Sequence, residues 1–299
     1  MCGIIGLLIK DARLRPELGK FLIPMFGCMA DRGPDSAGLA IYSEPLPAGR
    51  LRYSLFAPSS GYDWMALAIA FEVALKARFE LTSTSSHGAI VTEVTPDDFT
   101  SWMKAFDPTL HLLSVGRAIE LIKDEGHPVE IAERYDVRSF AGTHAIGHTR
   151  MATESAVSPA HAHPFTAGQD FCLVHNGSLS NPYMLRRKLE KEGLKFETDN
   201  DTEAACRLIE WHMRQGDDVV SSLSAACWEM DGFYTLLIGT ANEMMIVRDP
   251  FACKPAIVAE TDAYVAVSSE FRSLAHLPGI EDAHIFEPLP EEIYSWKVS

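Results

Sequence analysis

Positive charge is scarce in this sequence. Its 299 residues contain 26 lysines and arginines against 41 aspartates and glutamates, which gives a formal net charge of −15. Nucleic-acid binding depends on clusters of basic side chains that neutralise phosphates, so this balance argues against nucleic acid as a partner. An acidic surface otherwise favours solubility and does not identify a substrate.

The sequence also has no apolar run long enough to cross a membrane. The longest run, at about 64–75, contains Glu72 and is followed by Lys76 and Arg78. A membrane-spanning helix needs about 20 predominantly apolar residues. No basic and apolar leader precedes Cys2, so we expect neither a secretory signal nor a membrane partner.

Closely spaced cysteines are missing as well. The six cysteines are scattered, and no two of them form a CxxC pair. The pattern therefore favours reduced thiols in a cytoplasmic protein over a disulfide framework. A chain that is 47% hydrophobic and 22% charged fits a soluble globular protein with one large domain or two small ones.

Hydrophobic patterns predict the order of the secondary structure. Residues 3–9 are apolar almost throughout, which indicates a strand covered on both faces, and residues 18–30 have helical spacing. Segment 44–140 carries no catalytic pattern and alternates predicted strands and helices, among them an amphipathic helix at 64–79 and a short helix at 118–123. Elsewhere strands come in adjacent runs and helices in adjacent pairs. This order favours stacked antiparallel layers over a βαβ repeat.

Cys2 directly follows the start methionine. When that methionine is removed, a thiol and a free α-amine belong to the same residue. The thiolate is a strong nucleophile, and an α-amine with an ordinary pKa of about 7.7–8.0 accepts a proton near neutral pH. One residue would then supply both the nucleophile and the general base. The alternative is that Cys2 only leads into the buried strand.

Five further polar motifs follow in order along the chain. They are Arg32-Gly-Pro-Asp-Ser-Ala-Gly, His148-Thr-Arg-Met-Ala-Thr, Ala162-His-Pro-Phe, His175-Asn-Gly and Asp199-Asn-Asp-Thr-Glu. Together with Met-Cys-Gly-Ile at the start, they resemble the class II glutamine amidotransferase domains of the N-terminal-nucleophile hydrolases. Each motif alone is weak, whereas six in the right order are a strong signal. The resemblance covers nearly the whole chain apart from 44–140.

The resemblance implies an α+β fold. The family fold is a four-layer αββα sandwich with two mostly antiparallel sheets. We expect one class II glutamine amidotransferase domain over residues 1–299, with an α/β insertion at about 44–140.

The resemblance also assigns the catalytic residues. Cys2 attacks the amide carbon of glutamine and forms a γ-glutamyl thioester, while its own amine passes a proton to the leaving ammonia. The side-chain amide of Asn176 and the backbone N–H of Gly177 form the oxyanion hole. Taken alone, the Asn-Gly pair reads as a hairpin turn.

Four residues match positions that hold the substrate. Arg150 would bind the α-carboxylate with its guanidinium fork, and Asp201 would bind the α-ammonium group. Thr153 and His163 match positions that line the glutamine pocket. Without the motifs, Arg150 reads as a surface ion pair and Asp201 as the N-cap of a helix.

Other positions of the motifs have supporting roles or depart from the family. Arg32 matches a residue that supports the surroundings of the nucleophile, and Asp35 would fix the same loop. Met151 and Glu154 stand where other branches often carry an aromatic residue and a histidine, so the shape of the glutamine lid is in doubt. The histidines of these motifs lie on separate segments and the resemblance already accounts for them, so we predict no metal site.

Segments 147–156, 174–181, 248–256 and 293–296 look closest to stand-alone amidotransferase subunits related to glutamate synthase. That group includes the first subunit of N-methylglutamate synthase (methylamine–glutamate N-methyltransferase). The resemblance implies L-glutamine as substrate and a separate synthase subunit as the acceptor of ammonia. It places no cofactor in this chain, because FMN and an iron–sulfur cluster would belong to the partner subunit.

Three alternatives stay open from the sequence. A non-catalytic glutamine-binding regulatory subunit would keep Arg150 and Asp201 without needing a free Cys2. An amidotransferase could serve an unrelated synthase. The third alternative is a hydrolase of another amide. Such an enzyme would not need Arg150 and Asp201, a pair that fits a zwitterionic amino acid.

Overall fold

A computed structural model describes residues 2–59, 61–151 and 158–298. The strands are β1 (Gly3–Ile9), β2 (Ser36–Tyr42), β3 (Leu51–Phe56), β4 (Phe79–Thr84), β5 (His87–Thr92), β6 (His111–Gly116), β7 (Ile119–Glu125), β8 (His144–Arg150), β9 (Phe165–Ala167), β10 (Phe171–Leu179), β11 (Gly232–Gly239), β12 (Glu243–Arg248), β13 (Ile257–Glu260), β14 (Tyr264–Ser268), β15 (His284–Phe286) and β16 (Tyr294–Lys297). The helices are α1 (Leu18–Met29), α2 (Trp64–Leu75), α3 (Pro96–Phe106), α4 (Pro128–Arg134), α5 (Pro182–Lys191), α6 (Asp201–Arg214) and α7 (Val219–Glu229).

The strands of the described residues form three sheets, in which neighbouring strands run antiparallel. A seven-stranded sheet has the order β15-β13-β14-β1-β8-β2-β7, and a five-stranded sheet has the order β16-β12-β11-β10-β9. A four-stranded sheet, β4-β5-β3-β6, lies within the segment predicted to be an insertion.

Side chains of β1 alternate between two hydrophobic cores, because successive residues of a strand point to opposite faces. Ile5 and Leu7 pack in the core that contains α1 and α4. Ile4 and Leu8 pack in the core between the seven-stranded and five-stranded sheets. A further core joins the five-stranded sheet to α5, α6 and α7. The resulting order of helices, sheet, sheet and helices confirms the predicted αββα sandwich.

Segment 44–140 divides between two parts of the structure. Strands β3 to β6 carry α2 and α3 on a core of their own, whereas β7 pairs with β2 at the edge of the seven-stranded sheet. The helix predicted at 118–123 is therefore wrong, because this segment is part of β7. A short apolar run fits a strand as well as a helix, and here pairing along the whole of β2 decides the outcome. The single domain over residues 1–299 stays a prediction.

The helix predicted at 64–79 is shorter than expected and is not amphipathic. It ends at Leu75, because Lys76 takes the left-handed conformation with φ of 51° and caps the helix. Its outer face is apolar, with Met65, Ile69 and Val73 exposed. No helix within the described ranges is both long and apolar enough to span a membrane.

The core between the two large sheets contributes to the stability of the sandwich. Leu8 is fully buried there, and we expect Leu8→Ala to lower the free energy of unfolding by about 2–5 kcal/mol, because it removes buried methyl groups and leaves a cavity. Denaturant titration measures the change. Leu289→Ala is the control, since Leu289 is 59% exposed and its truncation should change the free energy by no more than about 0.5 kcal/mol. Equal losses in the two variants would contradict the assignment of the core.

Candidate active site

Cys2 lies at the end of β1 that borders the space between the two large sheets. The even-numbered positions of β1 face this space, since Ile4 packs in the inter-sheet core and a Cβ at Gly6 would lie 2.9 Å from Leu237 of β11. Cys2 is also even-numbered, so the alternation of side chains along the strand directs its side chain towards the five-stranded sheet. The residue is partly buried.

Arg150 is brought next to Cys2 by the pairing of β1 with β8. Gly3 pairs with Thr149 in this register, so its continuation sets Cys2 opposite Arg150. In β8, Ile146 packs in the inter-sheet core. Arg150 is four residues further along the strand, so it faces the same side of the sheet. Arg150 is only 5% exposed, so its guanidinium belongs to the interior and the alternative of a surface ion pair fails.

Asn176 reaches the same space from β10 of the opposite sheet. Val174, two residues earlier, packs in the inter-sheet core, so Asn176 faces the same way. Its side chain is 4% exposed, and its Nδ2 atom is buried with no hydrogen-bond partner among the described residues. A buried amide donor without a partner is uncommon, because it loses its hydrogen bonds to water without replacement. The donor is therefore free for a ligand.

Gly177 has no room for a side chain. A Cβ at this position would lie 2.0 Å from the carbonyl oxygen of Phe233 and 2.7 Å from Nε2 of His175. Contacts this short are forbidden for any side chain, so β10 and β11 approach each other closely only because residue 177 is glycine. The Asn-Gly pair lies within a strand and not in a hairpin turn.

Asp201 is the first residue of α6 and contacts the end of β10. Its Oδ2 atom accepts a hydrogen bond from the backbone N–H of Leu179 at 2.9 Å. Asn200, not Asp201, caps the helix, because its Oδ1 atom accepts from the N–H of Thr202 at 2.9 Å. The side chain of Asp201 remains 25% exposed, so the carboxylate is accessible to a cation.

His163 and His175 are hydrogen-bonded to the same hydroxyl group. The Oγ1 atom of Thr202 lies 2.8 Å from Nε2 of His163 and 2.9 Å from Nδ1 of His175. The ring of His148 stacks on that of His163, with centroids 4.0 Å apart. Burial lowers the pKa of His163 and of His175, and it lowers the pKa of His148 to about 3. The cluster is therefore neutral at pH 7.

Arg32 holds the backbone of Cys2 in place. Its Nε atom donates to the carbonyl oxygen of Cys2 at 3.0 Å, and its Nη1 atom lies 2.7 Å from Oε1 of Glu270. This hydrogen bond holds the pKa of Glu270 below its ordinary value. The N–H of Asp35 donates to the carbonyl oxygen of Arg150 at 3.1 Å, which ties the loop after Arg32 to β8.

The chain is similar to known glutamine amidotransferases. It is 46% identical over 99% of its length to the glutamine amidotransferase-like protein GlxB of Rhizobium meliloti, 98% of which is covered. It is 32% identical over 98% of its length to a putative glutamine amidotransferase of Methanothermobacter thermautotrophicus, 99% of which is covered. A family model described as a glutamine amidotransferase domain matches residues 148–276.

The chain belongs to the class II glutamine amidotransferases. Enzymes of this family hydrolyse glutamine and donate the ammonia. The fold agrees with that of the glutamine phosphoribosylpyrophosphate amidotransferase of B. subtilis, with a TM-score of 0.62 at 19% identity. All of this chain but only 49% of that structure takes part in the match, so the chain spans about half the length of that relative. The predicted N-terminal-nucleophile hydrolase fold is confirmed.

The structure of this amidotransferase brings most of the predicted site together at one end of the sheets. Thr153 and Glu154 lie outside the described residues. Among the described part of the chain, no group of three or more histidine, cysteine, aspartate or glutamate side chains is arranged to hold a metal ion. The hydroxyl of Thr202 is hydrogen-bonded to one ring nitrogen of His163 and to one ring nitrogen of His175.

Three residues of the amidotransferase site were not predicted from the sequence. Thr202 belongs to the recognised motif Asp199-Asn-Asp-Thr-Glu, but nothing in the sequence shows that it joins two histidines. Glu270 is distant in sequence from Arg32 and is found only through the fold. Lys123 donates from Nζ to the carbonyl oxygen of Ala162 at 2.9 Å, and so supports the turn that carries His163. Burial lowers the pKa of Lys123 to about 8.

We expect the buried histidines to make the amidotransferase sensitive to acid. His148 has a folded pKa of about 3 and an unfolded pKa of about 6.5. Between these two pKa values, the unfolded chain binds more protons at this position than the folded chain does. The stabilisation that comes from a neutral His148 is therefore fully present above pH 6.5 and is lost as the pH falls. The contribution of His148 changes by up to about 1.4 kcal/mol per pH unit.

We expect the free energy of unfolding to fall between pH 7 and about pH 4.5, with a shallower slope in His148→Gln. Glutamine keeps a donor for the carbonyl oxygen of His175 but does not titrate. Urea titration at several pH values measures the slopes. His284→Gln is the control, because His284 is exposed and lies outside the histidine cluster. The same slope in wild type and His148→Gln would contradict a buried neutral ring.

Proposed function

We propose that this chain hydrolyses L-glutamine to glutamate and ammonia through a thioester on Cys2, and that it delivers the ammonia to a separate synthase subunit. The observation that carries the proposal is the buried Nδ2 donor of Asn176, which has no hydrogen-bond partner among the described residues. It faces the same inter-sheet space as Cys2, from the opposite sheet. An amide donor in that position suits a developing oxyanion.

The first half of the reaction forms a thioester. The sulfur of Cys2 attacks the side-chain amide carbon of glutamine, and the carbonyl oxygen becomes an oxyanion. The Nδ2 group of Asn176 and the N–H of Gly177 donate to this oxygen. The C–N bond then breaks, and the released nitrogen takes up the proton that the thiol gave to the α-amine of Cys2. This step requires removal of Met1.

The second half of the reaction regenerates the thiol. A water molecule attacks the thioester carbon while the α-amine of Cys2 accepts a proton, and the same two donors stabilise the second oxyanion. The C–S bond breaks, the sulfur recovers its proton, and glutamate leaves. Arg32 assists by holding the carbonyl oxygen of Cys2 at 3.0 Å, which limits the movement of the nucleophile.

Two charged groups select an amino acid as substrate. Arg150 is opposite Cys2 in the continued register, and its guanidinium matches an α-carboxylate bidentately. Asp201 keeps its carboxylate partly exposed beside the end of β10 and suits an α-ammonium group. Thr153 completes the proposed substrate contacts, and His163 supports the pocket wall through Thr202.

The acceptor of ammonia in this proposal is a synthase of the N-methylglutamate synthase or glutamate synthase-related type. The support is the resemblance of segments 147–156, 174–181 and 248–256 to the amidotransferase subunits of that group. FMN and an iron–sulfur cluster would then be bound by the partner subunit. Affinity purification from the source cells tests the assignment: a flavin-containing synthase that co-purifies supports it, and a synthase without flavin contradicts it.

Labelling with a glutamine-analogue diazoketone tests the nucleophile. We expect wild-type protein to gain one label and lose glutaminase activity, whereas Cys2→Ala gains no label and has no activity, because the only attacking sulfur is missing. Intact mass and ammonia release are the measurements. Cys253→Ala is the matched control, since Cys253 is exposed and its removal should leave both labelling and activity unchanged.

Two outcomes of this experiment would contradict the proposal. Glutaminase activity in Cys2→Ala would refute the mechanism. A wild-type protein that binds glutamine, retains Met1 and shows no turnover with its partner would indicate a regulatory subunit.

The oxyanion hole is tested by Asn176→Ala. We expect kcat to fall by about 10²–10³-fold with little change in KM, because the lost donor acts mainly on the transition state. Steady-state kinetics measures the effect, and thermal melting shows whether the variant folds. Asn242→Ala, in the turn before β12, is the control that should keep full activity. An unchanged kcat in a folded Asn176→Ala protein would exclude this residue from the oxyanion hole.

A further inference from the structure

Ser36 is a buried residue at the start of β2 whose hydroxyl has no role in the mechanism described so far. Its side chain is 0% exposed, and its Oγ atom has no hydrogen-bond partner among the residues that the structure describes. A buried hydroxyl normally finds a partner, because burial removes its hydrogen bonds to water. The hydroxyl of Ser36 can therefore still donate a hydrogen bond.

The pairing of β2 with β8 sets Ser36 directly opposite Arg150. Directly opposed residues of neighbouring strands present their side chains on the same face of the sheet. That face is the inter-sheet side, since Ala40, four residues further along β2, packs in the inter-sheet core. Cys2 is opposite Arg150 on the other side of β8. Cys2, Arg150 and Ser36 therefore form one row across three strands, the substrate row.

The next row on the same face is covered by the turn at 162–164. This row contains His148 of β8 and Gly38 of β2, which pair with each other. The ring of His148 stacks on that of His163, and a Cβ at Gly38 would lie 2.2 Å from the carbonyl oxygen of His163. The turn therefore bounds the substrate row on one side.

A negative charge follows Ser36 at the edge of the sheet. The residue that pairs with Ser36 on its other side is Glu125 of β7, which is exposed. Its carboxylate repels a second carboxylate that comes close. A negatively charged group of a ligand in the substrate row is therefore favoured beside the guanidinium of Arg150 and disfavoured beyond Ser36.

We propose that the hydroxyl of Ser36 donates a hydrogen bond to the α-carboxylate of bound glutamine, beside the guanidinium of Arg150. The proposal rests on the proposed hydrolysis of glutamine at Cys2 and adds a substrate contact to it. A carboxylate has about four lone-pair sites, and a bidentate guanidinium uses two of them. The remaining sites can accept from a further donor, which Ser36 supplies.

The length of glutamine fits this placement. Neighbouring strands are about 4.8 Å apart, so the backbones of Cys2 and Ser36 are about 10 Å apart across β8. Extended glutamine spans about 6 Å from its amide carbon to its carboxylate oxygens. An attacking sulfur approaches the amide carbon to about 3–3.5 Å, and a hydroxyl donates to a carboxylate at about 2.6 Å. Glutamine therefore reaches both residues at once in a slightly bent conformation.

A missing partner is not sufficient by itself to mark a substrate contact. The Oγ atoms of Ser114 and Ser222 are also buried with no hydrogen-bond partner in the described ranges. Ser114 belongs to β6 of the four-stranded sheet, and Ser222 belongs to α7. Ser36 differs from both, because it is the one that lies opposite Arg150 in the substrate row.

Two reagents that alkylate Cys2 separate a substrate contact from a structural role. A glutamine-analogue diazoketone carries the α-carboxylate, whereas iodoacetamide carries an amide and no carboxylate. In Ser36→Ala, we expect the diazoketone concentration that gives half the maximal labelling rate to rise about 10-fold, because a hydrogen bond to a charged group is lost. The maximal labelling rate and the rate with iodoacetamide should equal those of wild type. Mass spectrometry of the peptide that begins with Cys2 measures all three quantities.

Ser114→Ala is the matched control. It also removes a buried hydroxyl that has no partner among the described residues, but from a sheet outside the substrate row. Both reagents should label this variant as they label wild type. Thermal melting is measured on both variants, and neither should melt earlier than wild type, because the removed hydroxyl makes no hydrogen bond in the free protein.

The results separate failure of this contact from failure of the proposed reaction. Equal half-maximal diazoketone concentrations in wild type and Ser36→Ala would overturn the contact and leave Cys2 as the nucleophile. Slower labelling by both reagents, or earlier melting of Ser36→Ala, would give Ser36 a structural role and would also overturn the contact. If the diazoketone did not label Cys2 of the wild-type protein, the glutaminase reaction itself would be contradicted, and the contact with it.

Discussion

The alternation of side chains along paired strands is the constraint on which the candidate site depends. Even-numbered residues of β1, β8 and β10 face the space between the two large sheets, as Ile4, Ile146 and Val174 show by packing there. The apolar members of this series hold the sheets together. Towards one end of the sheets the series continues with polar residues, and the same alternation then directs Arg150 and Asn176 into the site. A shift of one residue in any of these registers would turn its polar groups to the other face.

Several buried polar atoms at this end of the sandwich have no hydrogen-bond partner among the described residues, as some do elsewhere in the fold. The Nδ2 atom of Asn176, the Nδ1 atom of His163 and the Nε2 atom of His175 are buried with no hydrogen-bond partner among the described residues. Each such atom costs roughly 1–3 kcal/mol of stability. Such atoms are physically reasonable in a site that gains its remaining hydrogen bonds from a substrate. Neutral histidines beside Arg150 also avoid adding further positive charge to the interior.

The sequence predicted the layers and the chemistry better than it predicted the contacts between distant segments. Strand β1 and the motif around Asn176 were recognisable because apolar runs and ordered motifs are local signals. The strand at 119–125 was missed because its apolar run fits a helix equally well until β2 is known as its partner. The pairing of Glu270 with Arg32 joins residues 238 positions apart, and no local pattern reports it. The exposed apolar face of α2 was not predicted either, because the sequence alone does not show which apolar residues are buried.

In the proposed reaction, Cys2 forms a covalent bond with the side-chain carbonyl carbon of glutamine. Mass spectrometry of protein quenched in acid during steady-state turnover detects this bond. We expect a γ-glutamyl adduct on the peptide that begins with Cys2, at a level that rises in variants with slowed hydrolysis and disappears in Cys2→Ala. Turnover of glutamine with no adduct on that peptide, or with an adduct on another residue, would refute a thioester on Cys2.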